Sequence, residues 1–287
     1  MAETGSPTHA TELLAAAARV SEPDRYLAAL LSPSSKRLGL LALAAFSAEL
    51  ANVPRLVTRE PGMGEIRLQW WRDVLELPAR ERTGNPVADA LRAAALSHAL
   101  PLTLLRDVIE ARASDLRADP VADDEALRSY LWKSEGALFA SAGRVLADAP
   151  QPAIDATAAA SGRAYGLARL LLRLPEALSR GRLTLPQTRL TAAGVTREDL
   201  LSGARGDRIA GLLADLRAEV RENLVAGRQH VAHLPRSLRA GFLPLALVEP
   251  YLRALERQRG DPLRQGVAVA PLTRISKIAI AHWLGRI

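Results

Sequence analysis

The chain has 287 residues, of which 48% are hydrophobic, 24% are charged and 4% are aromatic. This composition is typical of a folded globular protein and excludes an intrinsically disordered chain. There is no cysteine, which excludes disulfide bonds, thiolate nucleophiles and cysteine-ligated metal sites. The net charge of +7 favours anionic partners, but the basic residues are scattered, as they also are in a chain that uses arginine for every surface cation.

Apolar residues recur at helical spacing along almost the whole chain, and no segment alternates with the two-residue period of a strand. We therefore expect an all-α protein, with a flexible leader at residues 1–8 and a single domain at residues 9–287. Proline or glycine separates most of the predicted helices. In chain order these helices cover residues 9–20, 23–31, 35–53, 63–78, 85–98, 101–118, 123–147, 152–174, 196–202, 207–229, 236–258 and 271–285.

One helix start is marked by a local motif. Thr196 and Asp199 have the spacing of a capping box, in which the side chain at the third helical position bonds back to the cap amide. This pattern predicts that the short helix at residues 196–202 begins directly after Thr196.

The last predicted helix permits two interpretations. Its apolar residues form a stripe at i, i+3, i+4 and i+7 spacing, namely Ile280, Trp283, Leu284 and Ile287. Its basic residues lie elsewhere on the surface, at Arg274, Lys277 and Arg286. An amphipathic helix of this kind suits acidic lipid. A final helix packed on the bundle is the more common arrangement, and it is the interpretation we favour.

The sequence also bears on location and partners. No apolar run reaches the roughly 20 residues that a membrane-spanning helix requires, and the first residues lack the pattern of a secretory signal. We therefore expect a soluble, intracellular protein. The pI near 10.4 is compatible with nucleic-acid binding, but aromatic residues are sparse and no nucleic-acid-binding motif is present, so we expect no nucleic-acid partner.

Residues 162–186, GRAYGLARLLLRLPEALSRGRLTLP, carry the most informative motif. They resemble the second signature of the squalene/phytoene synthase family, roughly GxAxQLTNILRDVxEDARRGRxYLP. The positions in register are Gly162, Ala164, Leu167, Leu171, Glu176, Arg180, Gly181, Arg182, Leu185 and Pro186. Where the family has the two aspartates of DxxxD, this chain has Arg173 and Ala177.

The first signature of the family, YxFCRxxDDIVDE, resembles residues 44–55, where Phe46 keeps the frame. The three aspartate positions hold other residues, namely Ala51, Asn52 and Arg55. Only Glu49 and Glu176 remain as acids near the two motifs. In the family the aspartates hold Mg²⁺ ions that grip a prenyl diphosphate. The resemblance therefore implies an isoprenoid synthase-like helical bundle around a central cavity, here with no catalytic residue, metal or cofactor expected.

A third segment indicates which subgroup of the family the chain resembles. Residues 64–73, GEIRLQWWRD, are similar to the RLxxWR region of an acid-depleted subgroup, the bacterial relatives of a mitochondrial complex I assembly factor. This resemblance implies a non-catalytic protein that acts in respiratory complex assembly, with complex subunits or other assembly factors as partners. It also implies a cytoplasmic protein that can sit peripherally on the inner membrane.

Arginine at former metal positions suggests a different use of the cavity. Guanidinium binds phosphate through paired N–H donors, but it does not supply the Lewis acidity of a Mg²⁺ cluster. Our hypothesis is a site that holds an anionic lipid or isoprenoid phosphate without turnover. Its candidate ligand-binding residues are Arg55, Arg169, Arg173, Arg180 and Arg182.

Two alternatives stay open at this stage. In the first, Arg55 and Arg173 pair with Glu49, Glu176 or other acids and fill a collapsed pocket. In the second, the protein is an active prenyl transferase that joins prenyl diphosphates and binds Mg²⁺ in an atypical site formed by Glu49, Asn52 and Glu176.

Overall fold

The structure of the protein is a computed structural model that describes residues 7–57, 62–117 and 121–287. For residues 7–10 and 55–57 the description is limited to the backbone. Every regular element in these ranges is a helix, so the predicted all-α class is confirmed. The predicted leader lies outside the described residues as far as residue 6, and the first helix begins at Pro7.

Fifteen α-helices follow one another in the described part of the chain. They are α1 (Pro7–Ser21), α2 (Pro23–Leu30), α3 (Ser34–Val57), α4 (Met63–Glu76), α5 (Pro86–Ser97), α6 (Leu102–Leu116), α7 (Asp124–Leu131), α8 (Ala137–Leu146), α9 (Ala153–Ser179), α10 (Gln187–Ala193), α11 (Arg197–Ser202), α12 (Gly206–His233), α13 (Arg236–Arg239), α14 (Val248–Arg257) and α15 (Pro271–Leu284). A π-helical turn, Trp132–Gly136, joins α7 to α8, and a 3₁₀ segment, Ala240–Leu247, joins α13 to α14.

Local chemistry explains where several helices begin. The Asn85 side chain accepts hydrogen bonds from the amides of Val87 and Ala88, and Pro86 occupies the first helical position of α5. The predicted capping box of α11 is confirmed, because Thr196 and Asp199 each bond the backbone amide of the other.

Three predicted helices show the largest differences from the observed ones. The helix expected to end at residue 174 continues through Pro175 to Ser179, because the proline and the neighbouring Leu174 and Leu178 are buried by tertiary packing. The helix expected over residues 123–147 contains the π-helical turn. The helix expected over residues 236–258 divides into α13, the 3₁₀ segment and α14, with Pro244 inside the 3₁₀ segment.

Helix α10 was not predicted. It has seven residues, too few to show a helical period in the sequence. Its start is held in place by a distant loop, because the Gln187 amide donates to the carbonyl of Val121 at 2.8 Å.

The core is aliphatic with a few large rings at its centre. Phe46 of α3 meets Trp71 of α4 edge to face, with ring centres 4.9 Å apart. Phe139 of α8 stacks on Phe242 at 5.6 Å and meets Tyr165 of α9 edge to face at 5.7 Å. These five rings have almost no exposed surface, so the middle of the bundle is filled with side chains. No helix in the described ranges combines the length and the apolar character needed to cross a bilayer.

Candidate functional site

A cavity of about 350 Å³ opens beside the C-terminal part of α3 and the second half of α9. Helix α6, the π-helical turn and the segment after α9 complete its wall. Among the described residues its lining includes five arginines, namely Arg112, Arg169, Arg173, Arg180 and Arg182. The acids in the same lining are Asp115, Glu135 and Glu176. The cavity is therefore polar, and arginines outnumber acids in its wall.

Most of the residues predicted from the two signatures meet at this cavity. Those that line it are Ala51, Asn52, Arg169, Arg173, Glu176, Ala177, Arg180 and Arg182. Glu49 does not, because it pairs with Arg67 at 2.7 Å and lines a separate groove beside Trp70. The side chain of Arg55 lies outside the described residues.

The inner wall of the cavity is closed by a network of buried ion pairs. The Arg169 guanidinium donates to both oxygens of Glu22, at 2.9 and 2.7 Å, and lies 3.1 Å from Glu135. Arg25 donates to Glu135 at 2.6 Å. Burial opposes ionisation of Glu22, but the attraction and hydrogen bonds of Arg169, with the charge of Arg25, outweigh it and lower the pKa of this carboxyl to about 2.

Aromatic rings back this network. The Arg25 guanidinium lies 4.7 Å from the ring centre of Phe139, and the Arg169 guanidinium lies 5.3 Å from that of Tyr165. The cavity therefore ends at charged groups that are already paired, with filled core behind them.

A second cluster surrounds Asp115. Arg112 donates to one of its oxygens at 2.9 Å, while Arg182 and the Tyr130 hydroxyl donate to the other at 2.8 and 3.0 Å. Burial raises the pKa of Asp115, but the charges and hydrogen bonds of the two arginines outweigh it, so this pKa is lowered. One carboxylate thus serves two guanidinium groups.

Some hydrogen-bond donors of residues that line the cavity have no partner among the described residues. Arg112 is only 4% exposed, and its Nε and one Nη have no hydrogen-bond partner, nor has the Thr184 hydroxyl. Arg173 forms no hydrogen bond or ion pair with any described residue. Repulsion by Arg169, together with burial, lowers the pKa of Arg173. The collapsed-pocket alternative has Arg55 and Arg173 paired with acids; no described contact pairs Arg173 in this way, and the Arg55 side chain lies outside the described residues.

The carboxylates at the cavity do not fit a magnesium cluster. Each of them contacts a guanidinium, since Asp115 and Glu135 are paired as described and Glu176 accepts from Arg180 at 2.8 Å. In the part of the chain that the structure describes, no group of three or more histidines and acids is placed to hold a metal ion. Proteins bind Mg²⁺ chiefly through carboxylate oxygens, and here the carboxylates that line the cavity contact guanidinium groups instead.

Sequence reasoning missed three residues of this site: Glu22, Arg112 and Glu135. Local signals existed for two of them. Arg112 and Asp115 are three residues apart on α6, a spacing that places them on one helix face. Glu22 stands with Asp24 and Arg25 at the start of an otherwise apolar helix, which is where buried charge is unusual.

The sequence model of the squalene/phytoene synthase family matches residues 18–275. The chain belongs to this family. A Mus musculus protein of similar sequence is called NADH dehydrogenase (ubiquinone) complex I, assembly factor 6; it is 28% identical over 254 residues, which are 88% of this chain and 74% of that protein.

Two solved structures of the squalene/phytoene synthase type share the architecture. The squalene synthase of Alicyclobacillus acidocaldarius has a TM-score of 0.75 and 19% identity, over 88% of this chain and 96% of that one. A ligand-bound dehydrosqualene synthase has a TM-score of 0.78 and 16% identity, over 96% of each chain. These likenesses establish the fold and confirm the predicted isoprenoid synthase-like bundle.

Proposed function

We propose that this member of the squalene/phytoene synthase family acts in the assembly of respiratory complex I and has no prenyl transferase activity. The role in assembly is supported by the mouse relative, which is named for it and matches 88% of this chain. The loss of catalysis is carried by one observation: each acid that lines the cavity contacts an arginine, and Arg173 adds a guanidinium without a carboxylate partner among the described residues, where catalysis would need free carboxylates.

Prenyl transfer requires release of pyrophosphate, and guanidinium groups promote that step less well than Mg²⁺ ions do. A multi-Mg²⁺ cluster withdraws charge from the leaving pyrophosphate as a Lewis acid. Guanidinium holds an anion by hydrogen bonds and charge, so it stabilises a bound phosphate without the same pull on the breaking bond. A cavity built in this way favours retention of a phosphate over its release.

The cavity suits the phosphate group of an anionic lipid or isoprenoid. Arg112 adds positive charge to the wall from a buried position, and Arg173 is the only predicted ligand-binding arginine of the described set without a carboxylate partner. Arg169, Arg180 and Arg182 each form an ion pair with a carboxylate, so they contribute to the anion site mainly through the positive potential of the cavity. Because the inner wall is closed by ion pairs, a hydrocarbon chain would extend outward from the cavity.

The alternative of an active prenyl transferase has less support. Glu49, which it needs as a ligand, pairs with Arg67 beside a separate groove. The deciding experiment incubates purified protein with labelled farnesyl or geranylgeranyl diphosphate, with and without Mg²⁺, beside an active squalene synthase as positive control. We expect no product. Mg²⁺-dependent condensation or pyrophosphate release would overturn the non-catalytic assignment.

Ligand binding is tested separately, by calorimetric titration in the presence of a metal chelator. Pyrophosphate, farnesyl monophosphate and a short-chain phosphatidic acid distinguish a bare phosphate site from one that also recognises an isoprenoid or a lipid. We expect all three to bind without metal. Binding that appears only when Mg²⁺ is restored would contradict an arginine-based site.

A further inference from the structure

Helix α15 presents an apolar face to solvent. Five large apolar side chains on this helix are about half or more exposed: Trp283 at 85%, Leu272 at 80%, Leu284 at 55%, Ile280 at 51% and Ile275 at 49%. With a turn of about 100° per residue, these positions fall on one half of the helix, centred near Trp283. A tryptophan and four aliphatic residues side by side on one surface are more than the scattered exposure normal for a folded protein.

The opposite face of α15 is fixed to the bundle. Ile278 and Ala281 are buried against it, and the Arg274 guanidinium lies 3.2 Å from the buried carboxylate of Asp24 in α2. Asp24 also accepts a hydrogen bond from Tyr165 at 2.7 Å. Rotating the helix to bury the apolar half would break this anchored ion pair. The favoured interpretation, a final helix packed on the bundle, is therefore correct for the helix but not for most of its predicted stripe, because Ile287 packs on the core while Ile280, Trp283 and Leu284 are exposed.

The charged residues of the segment that contains α15 have a single sign. After Asp261 the chain contains no acidic residue, whereas Arg264, Arg274, Lys277 and Arg286 all follow it. Lys277 and Arg286 are exposed; Lys277 lies beside the apolar half of the helix, and Arg286 follows the C-terminal end of the helix. Apolar residues with a tryptophan, bordered by cations, match a bilayer interface, where acyl chains lie beneath anionic head groups.

We propose that the outer face of α15 docks this protein on an anionic membrane surface, with Trp283 and Leu272 entering the interface and Lys277 and Arg286 contacting head groups. This inference is independent of the cavity and of the role in assembly. It resolves the two interpretations of the helix, because one face packs on the bundle and the other is left for lipid.

The test is sedimentation of the full-length protein with vesicles of phosphatidylcholine, either alone or with a third phosphatidylglycerol. We expect binding to the anionic vesicles that is at least tenfold weaker on neutral ones and weakens as salt is added. The double variant Leu272→Ser/Trp283→Ser should lose at least tenfold in binding. Both side chains are largely exposed, so the variant should fold.

A matched control replaces two exposed apolar residues by serine on other helices. Leu96→Ser/Val225→Ser alters two exposed apolar residues on α5 and α12, at 71% and 54% exposure, and should bind vesicles as the unmodified protein does. Lys277→Glu/Arg286→Glu should weaken binding to anionic vesicles alone.

Equal binding by the Leu272→Ser/Trp283→Ser variant and the unmodified protein would overturn the proposal. So would failure of the unmodified protein to bind anionic vesicles while sedimentation equilibrium shows a dimer that the same variant abolishes, since the face would then join two copies of the chain.

Discussion

Glu22 shows how a single residue ties distant helices together. Its carboxylate has no exposed surface and accepts both hydrogen bonds of the Arg169 fork from 147 residues away. Removing one partner from a buried pair leaves an uncompensated charge, which costs about 3–5 kcal/mol. We expect Glu22→Gln to lower the free energy of unfolding by that amount in urea titrations at neutral pH.

The matched control for this variant is Glu76→Gln. Glu76 pairs with Arg106 at 3.1 Å on the surface, where both side chains are about half exposed or more. Exposed pairs contribute about 0–1 kcal/mol, so this variant should unfold almost as the unmodified protein does. Equal losses in the two variants would show that burial of Glu22 is not what matters.

The same carboxylate predicts a pH dependence. The pKa of Glu22 falls from an ordinary value of 4.5 to about 2 on folding, so its contribution to stability is fully present above pH 4.5 and is lost as the pH falls towards 2. The difference in unfolding free energy between the unmodified protein and Glu22→Gln should therefore narrow below pH 4.5. Denaturant titrations at pH 7, 4 and 3 measure it, and a constant difference would contradict the assignment.

Arg173 has the opposite character, because its substitution removes no hydrogen bond or ion pair with a described residue. It has no partner among the described residues, and its repulsion by Arg169 disfavours the charged form in the fold. Arg173→Gln should therefore leave the protein at least as stable. It should also weaken chelator-resistant pyrophosphate binding about 10- to 100-fold, which corresponds to the 1.5–3 kcal/mol of a charged hydrogen bond.

The exposed Arg128, which pairs with the neighbouring Glu125 on α7, supplies the control for that experiment. Arg128→Gln should bind pyrophosphate as the unmodified protein does. If Arg173→Gln binds equally well, the site of the anion is not this cavity.

At the scale of elements, the approach of α9 to the π-helical turn is set by two glycines. A Cβ added at Gly162 would lie 2.6 Å from the Gly136 amide nitrogen and 2.7 Å from its Cα, so the backbones would have to separate. Overpacking of this kind costs about 1–3 kcal/mol. We expect Gly162→Ala to lower the unfolding free energy by that amount and to disturb Glu135, which lies in the same turn.

Helix α12 offers the comparison. Gly211 lies within this helix, and a Cβ there would meet nothing within 4 Å. Gly211→Ala should raise the unfolding free energy by about 0.5–1 kcal/mol, because alanine is the better helix former. Destabilisation by both alanines would point to a general sensitivity of the bundle and not to close packing at Gly162.

At the scale of the whole molecule, the prediction concerns complex I. Deleting the gene should reduce the amount of assembled complex, measured by native gel electrophoresis and NADH oxidation in membranes, and the unmodified gene should restore it. Restoration by a variant that has no prenyl transferase activity is expected as well, since the proposed role needs no turnover. Unchanged complex I levels after deletion would show that the role named for the relatives does not extend to this chain.

Much of the fold was predictable because its signals are local. Helical periodicity depends on residues three or four positions apart, and the Thr196 capping box lies within four residues. Boundaries failed where packing overrode local preference, as at Pro175 and Pro244. The signature frame also located the cavity, since residues near 51 and 173 proved to line it.

The sequence by itself determined the helical class and the family, because both depend on residues close together in the chain. Only the tertiary structure decided which arginines keep free donors. Arg169 is neutralised by Glu22 and Glu135 from other elements, whereas Arg173 has no carboxylate partner among the described residues. It also decided that the apolar side of α15 faces outward, because the Arg274–Asp24 pair joins residues 250 positions apart and sets the rotation of the helix.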